Sequence, residues 1–185
     1  MKKVLIVVDY QRDFVAGVMG NPAAQALESR LCRKIERYFA AGDDVVFTMD
    51  THTPEDRRTR EFQGGQRLHC LAETPGWQVY GKVAQYVPKA TVICKNTYGS
   101  IALADVLREK EYDVVELVGV TTHACVLSNA IIAAAAKPFA EIVVDPACTA
   151  SADEGQKQAA LWTLAGLHIQ VRSDDEFQVP ATDAG

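Results

Sequence analysis

This chain lacks the features that mark nucleic-acid-binding, membrane or exported proteins. Basic residues number 19 against 24 acidic ones in 185 residues, and the net charge is -5. That balance argues against nucleic acid and anionic membranes as partners, because both carry negative charge. No apolar run is long enough to span a bilayer. The apolar start of the chain meets an acid at Asp9 instead of a small-residue cleavage site, so we expect no signal peptide.

Paired cysteines, internal repeats and nucleotide-binding glycine motifs are also missing. The five cysteines are an odd number without paired spacing, which predicts reduced thiols in a cytoplasmic protein. Neither G-x-G-x-x-G nor a P-loop occurs, which disfavours a simple nucleotide-binding module. Apolar residues make up 48% and charged residues 23%, as in ordinary globular domains. We therefore expect residues 1–185 to form one domain.

Strand-like apolar runs alternate with helix-like segments along the chain. Predicted strands cover residues 4–9, 44–49, 90–94, 114–118, 141–144 and 168–171. Predicted helices cover 23–41, 101–110, the stretch after Cys125 to about 136, and 154–165, while 50–81 reads as a loop and 180–185 as a frayed tail. This alternation predicts an α/β fold: a single-domain, three-layer α/β/α structure with a six-stranded, mostly parallel, doubly wound sheet.

Three reactive side chains stand at predicted strand ends, where open parallel sheets bind their ligands. Cys125 follows one strand and precedes a helix, whose dipole favours a thiolate. Asp9 and Lys95 end two other strands. Alone, each has an ordinary alternative: a small core thiol, a turn cap and a solvated charge. Together they form a nucleophile, a cation that stabilises it and a carboxylate that moves its proton.

A second group of polar residues follows the second predicted strand. Asp50 and His52 share one side of an extended segment, and Glu61 and His69 lie in the loop beyond. Aspartate, histidine and glutamate suit zinc, iron or manganese. A solvated loop would explain the same residues about as well.

Five segments of the chain resemble the isochorismatase-like cysteine hydrolases, and within them the nicotinamidases. They occur in family order: DYQRDF at 9–14, DTH at 50–52, HC at 69–70 with TPG at 74–76, KNTY at 95–98, and GVTTHACV at 119–126. The resemblance implies that Asp9, Lys95 and Cys125 form a catalytic triad. It also implies a cis peptide bond before Thr121, with the Thr121 and Cys125 N–H groups as an oxyanion hole.

The same resemblance implies a cofactor and a substrate. The cofactor is a divalent metal, zinc or else iron or manganese, held by Asp50, His52, Glu61 and His69. In nicotinamidases this metal holds the pyridine nitrogen, and residues corresponding to Phe14 and Tyr98 supply stacking surfaces. The implied partner is a small amide, with nicotinamide first, and the implied reaction is hydrolysis through a thioester in NAD metabolism.

Some positions depart from the nicotinamidase pattern. Gln66-Arg67-Leu68 precedes His69, where many nicotinamidases have an aromatic residue and two prolines. Arg67 in the pocket wall would favour an acidic or polar substrate, and Trp77 either replaces the missing ring or packs the loop. His123 stands where the family often has aspartate. For Cys32, Cys94 and Cys148 we expect structural roles as small thiols, buried in the cases of Cys32 and Cys94.

Two rival functions stay open at this point. One is another amidohydrolase of the same superfamily, with an N-carbamoyl or ureido substrate. The other is a signalling receiver domain, whose acidic pocket and lysine are similar to Asp9, Asp50 and Lys95 at strand ends. Receivers are shorter, and they have no role for the histidines of the 50–81 loop. The sequence leaves a homo-oligomer open.

Overall fold

The sheet has six strands and contains the deepest part of the core. A computed structural model describes residues 1–173 of the chain; the predicted tail at 180–185 lies outside them. The strands are β1 (Lys3–Val8), β2 (Asp44–Asp50), β3 (Thr91–Lys95), β4 (Val114–Val120), β5 (Glu141–Ala150) and β6 (Gln170–Val171). They are hydrogen-bonded in the order β3-β2-β1-β4-β5-β6, and each neighbouring pair is parallel. The predicted parallel sheet is therefore confirmed.

Seven α-helices and three other helical segments connect the strands within residues 1–173. The helices are α1 (Arg12–Val15), α2 (Pro22–Gln25), α3 (Glu28–Ala41), α4 (Arg60–Gln63), α5 (Ile101–Arg108), α6 (Leu127–Ala136) and α7 (Glu154–Gly166). Pro54–Arg58 and Gly81–Lys89 are 3₁₀ helices, and Thr122–Val126 is a π-helical turn. No helix in this part of the chain is long and apolar enough to cross a membrane.

Alternating side chains of the buried strands pack on two different helical layers. Val4 and Ile6 belong to one apolar cluster, which also contains residues of α5, α6 and α7. Leu5 and Val7 belong to a second cluster, with α3 and the 81–89 helix. Since successive side chains of a strand point to opposite faces, helices cover both faces of the sheet. This is the predicted three-layer α/β/α arrangement.

The strand order reverses between β1 and β4, and this junction positions the site. In open parallel sheets, the crevice at such a reversal is where ligands bind. Gly119, near the end of β4, has φ +109 and lies so close to β1 that an added Cβ would stand 2.1 Å from the carbonyl oxygen of Val8. Only glycine fits both the conformation and the spacing.

Several predicted element boundaries were wrong. The single helix predicted over 23–41 is two helices, broken at Ala26 and Leu27, where the Ala24 carbonyl accepts from Tyr10 Oη. The fifth strand runs on to Ala150 through an irregular register. The sixth strand is shorter than predicted, because His168 has a left-handed φ of 62. The 50–81 loop contains two short helices.

Candidate active site

Asp9 lies directly after β1, at the junction with β4. Its φ of 46 turns the chain away from the sheet. The Asp9 backbone N–H donates to the Thr48 carbonyl (3.1 Å), and Thr48 Oγ1 donates to Asp9 Oδ1 (2.6 Å). The side chain is fully buried. Strand β2 therefore holds the Asp9 carboxylate in one orientation, with Oδ2 left to face the next group.

Lys95, the last residue of β3, reaches across the end of β2 toward that carboxylate. Its Nζ lies 2.7 Å from Asp9 Oδ2 and 2.9 Å from Asp50 Oδ1. The same Nζ lies 3.7 Å from Cys125 Sγ. The predicted carboxylate, ammonium and thiol are thus brought together around one nitrogen atom.

Cys125 lies in the π-helical turn between β4 and α6 and is buried. The Val120–Thr121 peptide bond just before this turn is cis, as the resemblance implied. The chain passes directly from a buried strand into the turn. The thiol is therefore presented at the carboxyl edge of the sheet instead of inside a helix layer.

Burial has the largest effect on the pKa of the Cys125 thiol. It raises the pKa of Cys125 well above the usual range, and the Asp9 carboxylate adds to this, while Lys95 opposes it. Burial also raises the pKa of Asp9. Burial disfavours the Lys95 ammonium, but attraction by Asp9, Cys125 and Asp50 outweighs it and raises the pKa of Lys95. The direction of this shift runs against the thiolate that the helix dipole favours, and Asp9 is the carboxylate beside the thiol.

The four predicted metal ligands form one cluster beside Lys95. One ligand atom from each of Asp50, His52, Glu61 and His69 lies within 4.8 Å of the others. Asp50 Oδ2 lies 3.1 Å from His52 Nε2 and 3.2 Å from His69 Nε2. Glu61 Oε1 lies 3.6 Å from His69 Nε2. All four predicted residues therefore converge on one point.

The hydrogen bonding of His69 shows that this donor set suits a cation. His69 Nδ1 lies 2.7 Å from the Arg67 carbonyl oxygen, which can only accept, so Nδ1 carries the hydrogen. In a neutral ring, Nε2 then directs a lone pair at the Asp50 carboxylate. A divalent cation held by these residues would remove that repulsion, and two histidines with carboxylates are ligands that zinc prefers. Burial opposes protonation of the ring, but the Asp50 carboxylate outweighs it and raises the pKa of His69.

Two further residues hold this cluster in place, and the sequence reasoning assigned neither of them a role. Asp56 Oδ2 lies 3.4 Å from His52 Nδ1 and accepts from the Thr53 backbone N–H at 2.8 Å. Gln11 is fully buried; its amide donates to the Asp50 carbonyl (2.8 Å) and accepts from the Asp50 N–H (2.7 Å). The only signal for Gln11 was a polar residue inside the segment that contains Asp9.

A cavity of about 320 Å³ opens over the thiol. Its lining includes both predicted substrate contacts, Phe14 and Tyr98, together with Glu61, Thr121 and Cys125. The remaining lining residues are Met19, Asn21, Gln66, His123, Ala124, Ser128 and Ala152. The Phe14 ring lies 5.0 Å from the His69 ring, so the aromatic wall adjoins the metal cluster. The same cavity is therefore lined by the thiol and by Glu61 of the metal cluster.

The expectations for the surrounding wall were partly wrong. Gln66, and not Arg67, lines the cavity; the Arg67 side chain is exposed. Trp77 packs the loop, with Nε1 donating to Thr51 Oγ1 at 2.8 Å. His123 lines the cavity, with Nδ1 lying 2.9 Å from Ser151 Oγ. Cys94 is exposed instead of buried, because β3 is an edge strand.

The comparisons with known proteins agree with this geometry. A model of the isochorismatase domain matches residues 3–176. The chain belongs to the isochorismatase domain family. It is 30% identical to a nicotinamidase/pyrazinamidase of Mycobacterium tuberculosis (strain ATCC 25618 / H37Rv), over 82% of this chain and 89% of the relative.

Solved structures show the same fold. The crystal structure of nicotinamidase/pyrazinamidase PncA from Bacillus subtilis matches with a TM-score of 0.83 at 28% identity, over 94% of this chain and 100% of that one. A pyrazinamidase of Pyrococcus horikoshii in complex with zinc also matches with a TM-score of 0.83, at 24% identity and the same coverage. At that identity the second likeness concerns the fold alone.

Proposed function

We propose that this amidohydrolase converts nicotinamide to nicotinate and ammonia through a thioester on Cys125. The observation that supports it best is the position of Lys95 Nζ, 2.7 Å from Asp9 Oδ2 and 3.7 Å from Cys125 Sγ. This arrangement lies beneath a cavity whose lining includes Glu61 of the metal cluster. The nicotinamidase names of the relatives point to the same substrate.

In the first half of the reaction the thioester forms and ammonia leaves. Asp9 takes the Cys125 proton as Sγ attacks the carboxamide carbon, and Lys95 stabilises the negative charge that forms on sulfur. The Thr121 and Cys125 N–H groups receive the developing oxyanion, an interaction worth about 2.7–4 kcal/mol per donor. The C–N bond then breaks, and Asp9 returns the proton to the departing ammonia.

Water completes the cycle. Asp9 takes a proton from water as its oxygen attacks the thioester carbon, and the C–S bond breaks to release nicotinate. Asp9 then passes that proton to sulfur, which restores the Cys125 thiol. Phe14 and Tyr98 hold the ring of the substrate from the cavity wall. Asp50, His52, Glu61 and His69 would hold a divalent metal, which we propose is zinc. When bound, the metal supplies a Lewis acid that orients the ring nitrogen.

A second candidate is an N-carbamoyl compound as the substrate of the same nucleophile. Gln66 at the cavity supports it, because an amide side chain there offers hydrogen bonds that an apolar wall would lack. The chemistry at Cys125 would be unchanged. For the cell compartment we propose the cytoplasm, since all five cysteines are free.

Ammonia release from a panel of small amides tests the proposal. We expect release from nicotinamide that is abolished in Cys125→Ala and diminished by a chelator, with recovery on adding zinc. Release from N-carbamoyl amino acids without release from nicotinamide would shift the assignment to the second candidate. Full activity of Cys125→Ala on any of these amides would contradict the thioester route itself.

A further inference from the structure

Asn129 is a fully buried polar residue on α6, one helical turn after the nucleophile. Its Nδ2 donates to the Cys125 carbonyl at 2.8 Å and to the Tyr98 carbonyl at 3.0 Å. Its Oδ1 accepts from the Ser100 backbone N–H at 3.0 Å. One side-chain amide therefore satisfies three backbone groups from two separate parts of the chain.

Those two parts carry different components of the site. Residues 96–100 connect β3, which ends at Lys95, to α5, and they contain Tyr98 of the cavity wall. The segment is pressed against α6: an added Cβ on Gly99 would stand 2.5 Å from Ile132 Cδ1. Packing holds the segment close to the helix, but only directional hydrogen bonds fix how far along the helix it lies. Within residues 1–173, Asn129 supplies the side-chain hydrogen bonds from α6 to this segment.

We propose that Asn129 is a positioning residue that fixes the Tyr98 wall relative to Cys125. It does not line the cavity, so it acts through the two groups that it joins. Both Nδ2 hydrogens of Asn129 are donated to backbone carbonyls, and Oδ1 accepts from the Ser100 N–H. The amide hydrogens therefore have no other hydrogen-bonding role. The inference rests on the proposed function only in treating Cys125 as the reactive group and Tyr98 as a contact for a ring.

Two substitutions separate the bonds that Asn129 makes. Asn129→Ala removes all three. Asn129→Thr keeps a hydroxyl that can donate to the carbonyl four residues earlier in a helix, that of Cys125, but it cannot bind Tyr98 and Ser100 together. Ala130→Gly is the matched control, because glycine loosens the same helix one residue away while the three Asn129 hydrogen bonds stay in place. Tyr98→Ala removes the ring wall directly.

Alkylation of Cys125 provides a readout that needs no amide turnover. Rates with iodoacetamide, which has no ring, and with iodoacetanilide, which has one, are measured on the Cys125 peptide by mass spectrometry. We expect Asn129→Ala and Asn129→Thr to lower the iodoacetanilide-to-iodoacetamide rate ratio about five-fold, the size of one aromatic contact. Ala130→Gly should leave the ratio as in wild type. With nicotinamide, we expect KM to rise by a similar factor with kcat nearly unchanged.

A double-mutant cycle keeps the test informative if Asn129→Ala fails to fold. In the Tyr98→Ala background the wall is already missing, so adding Asn129→Thr should leave the ratio unchanged. An unaltered ratio in Asn129→Thr alone, or an equal change in both backgrounds, would overturn the proposal. Suppose that the wild-type protein alkylates with the expected ratio and the Asn129 variants lower it, while none of them hydrolyses nicotinamide. That result would count against the proposed substrate and not against this role of Asn129.

Discussion

Asp50 Oδ1 lies 2.9 Å from Lys95 Nζ, while Oδ2 of the same carboxylate faces the histidines of the metal cluster. A single side chain therefore belongs to both halves of the site. For a hydrolase, the sequence predicted Asp50 only as a metal ligand. Because Asp50 also contacts Lys95, we expect a change at this residue to affect the nucleophile, whereas a change at His69 should not.

Asp50→Asn and His69→Ala should therefore differ in their effect on the thiol. Both remove a ligand, so we expect each to bind zinc more weakly in an equilibrium titration. In the metal-free protein, the Asp50 charge raises the pKa of Cys125. Asp50→Asn should consequently speed alkylation of Cys125 by iodoacetamide at neutral pH, and His69→Ala should not. Equal acceleration in both variants would argue against the contact through Lys95.

The pH dependence of alkylation should show the effect of burial on Cys125. A thiol with a raised pKa stays protonated at neutral pH and forms thiolate only as the pH rises through that higher value. We expect the Cys125 alkylation rate to keep increasing above about pH 9, past the range of an unperturbed cysteine. At neutral pH, the exposed Cys94 should be labelled before Cys125. A Cys125 rate that levels off below about pH 7 would contradict this.

Asp56→Asn should weaken metal binding without removing a ligand. The Asp56 carboxylate lies 3.4 Å from His52 Nδ1. At that distance its charge should favour the tautomer with hydrogen on Nδ1, which leaves Nε2 free to coordinate. Losing such a partner typically costs about 10–100-fold in metal affinity. Competition with a chromogenic zinc chelator would measure it. Glu55→Gln, an exposed neighbour in the same 3₁₀ helix, is the control and should bind zinc like wild type.

Lys34 lies outside the site, and we expect its loss to reduce stability strongly. Its side chain is fully buried, and its Nζ contacts both Asp145, at 2.7 Å, and Glu116. Lys34→Met would leave those carboxylates without their cation, which typically costs about 3–5 kcal/mol in the free energy of unfolding. Urea denaturation would measure the loss. Arg108→Met removes an exposed pair with Asp105, so it should cost less than about 1 kcal/mol.

The fold was predictable because its signals are local and repeated. Each buried strand is a run of apolar residues, and alternation with helices permits few arrangements besides a parallel sheet with two covered faces. The ends of the helices and strands were harder to predict from the sequence. The break between α2 and α3 coincides with a hydrogen bond from Tyr10 to Ala24, a contact between residues that no local pattern connects.

The candidate site was predictable wherever a residue stands at a strand end. Asp9 and Lys95 lie there, Cys125 lies in the turn that follows β4, and the parallel sheet brings these ends to one edge. Gln11 and Asn129 were missed, because their importance lies in which distant backbone groups their amides satisfy. The exposure of Cys94 also depended on strand order, which made β3 an edge.

By itself, the sequence determined which residues could react and at which edge of the sheet they would stand, since periodicity and strand ends are properties of neighbouring residues. Only the tertiary structure decided their electrostatic state. Burial by strands and helices from distant parts of the chain raises the pKa of Cys125, and Asp9 adds to this effect while Lys95 opposes it. Asp50 serves two groups because β2 lies between β1 and β3. The pKa values of these groups depend on burial and on distances between residues far apart in the chain, and local sequence determines neither.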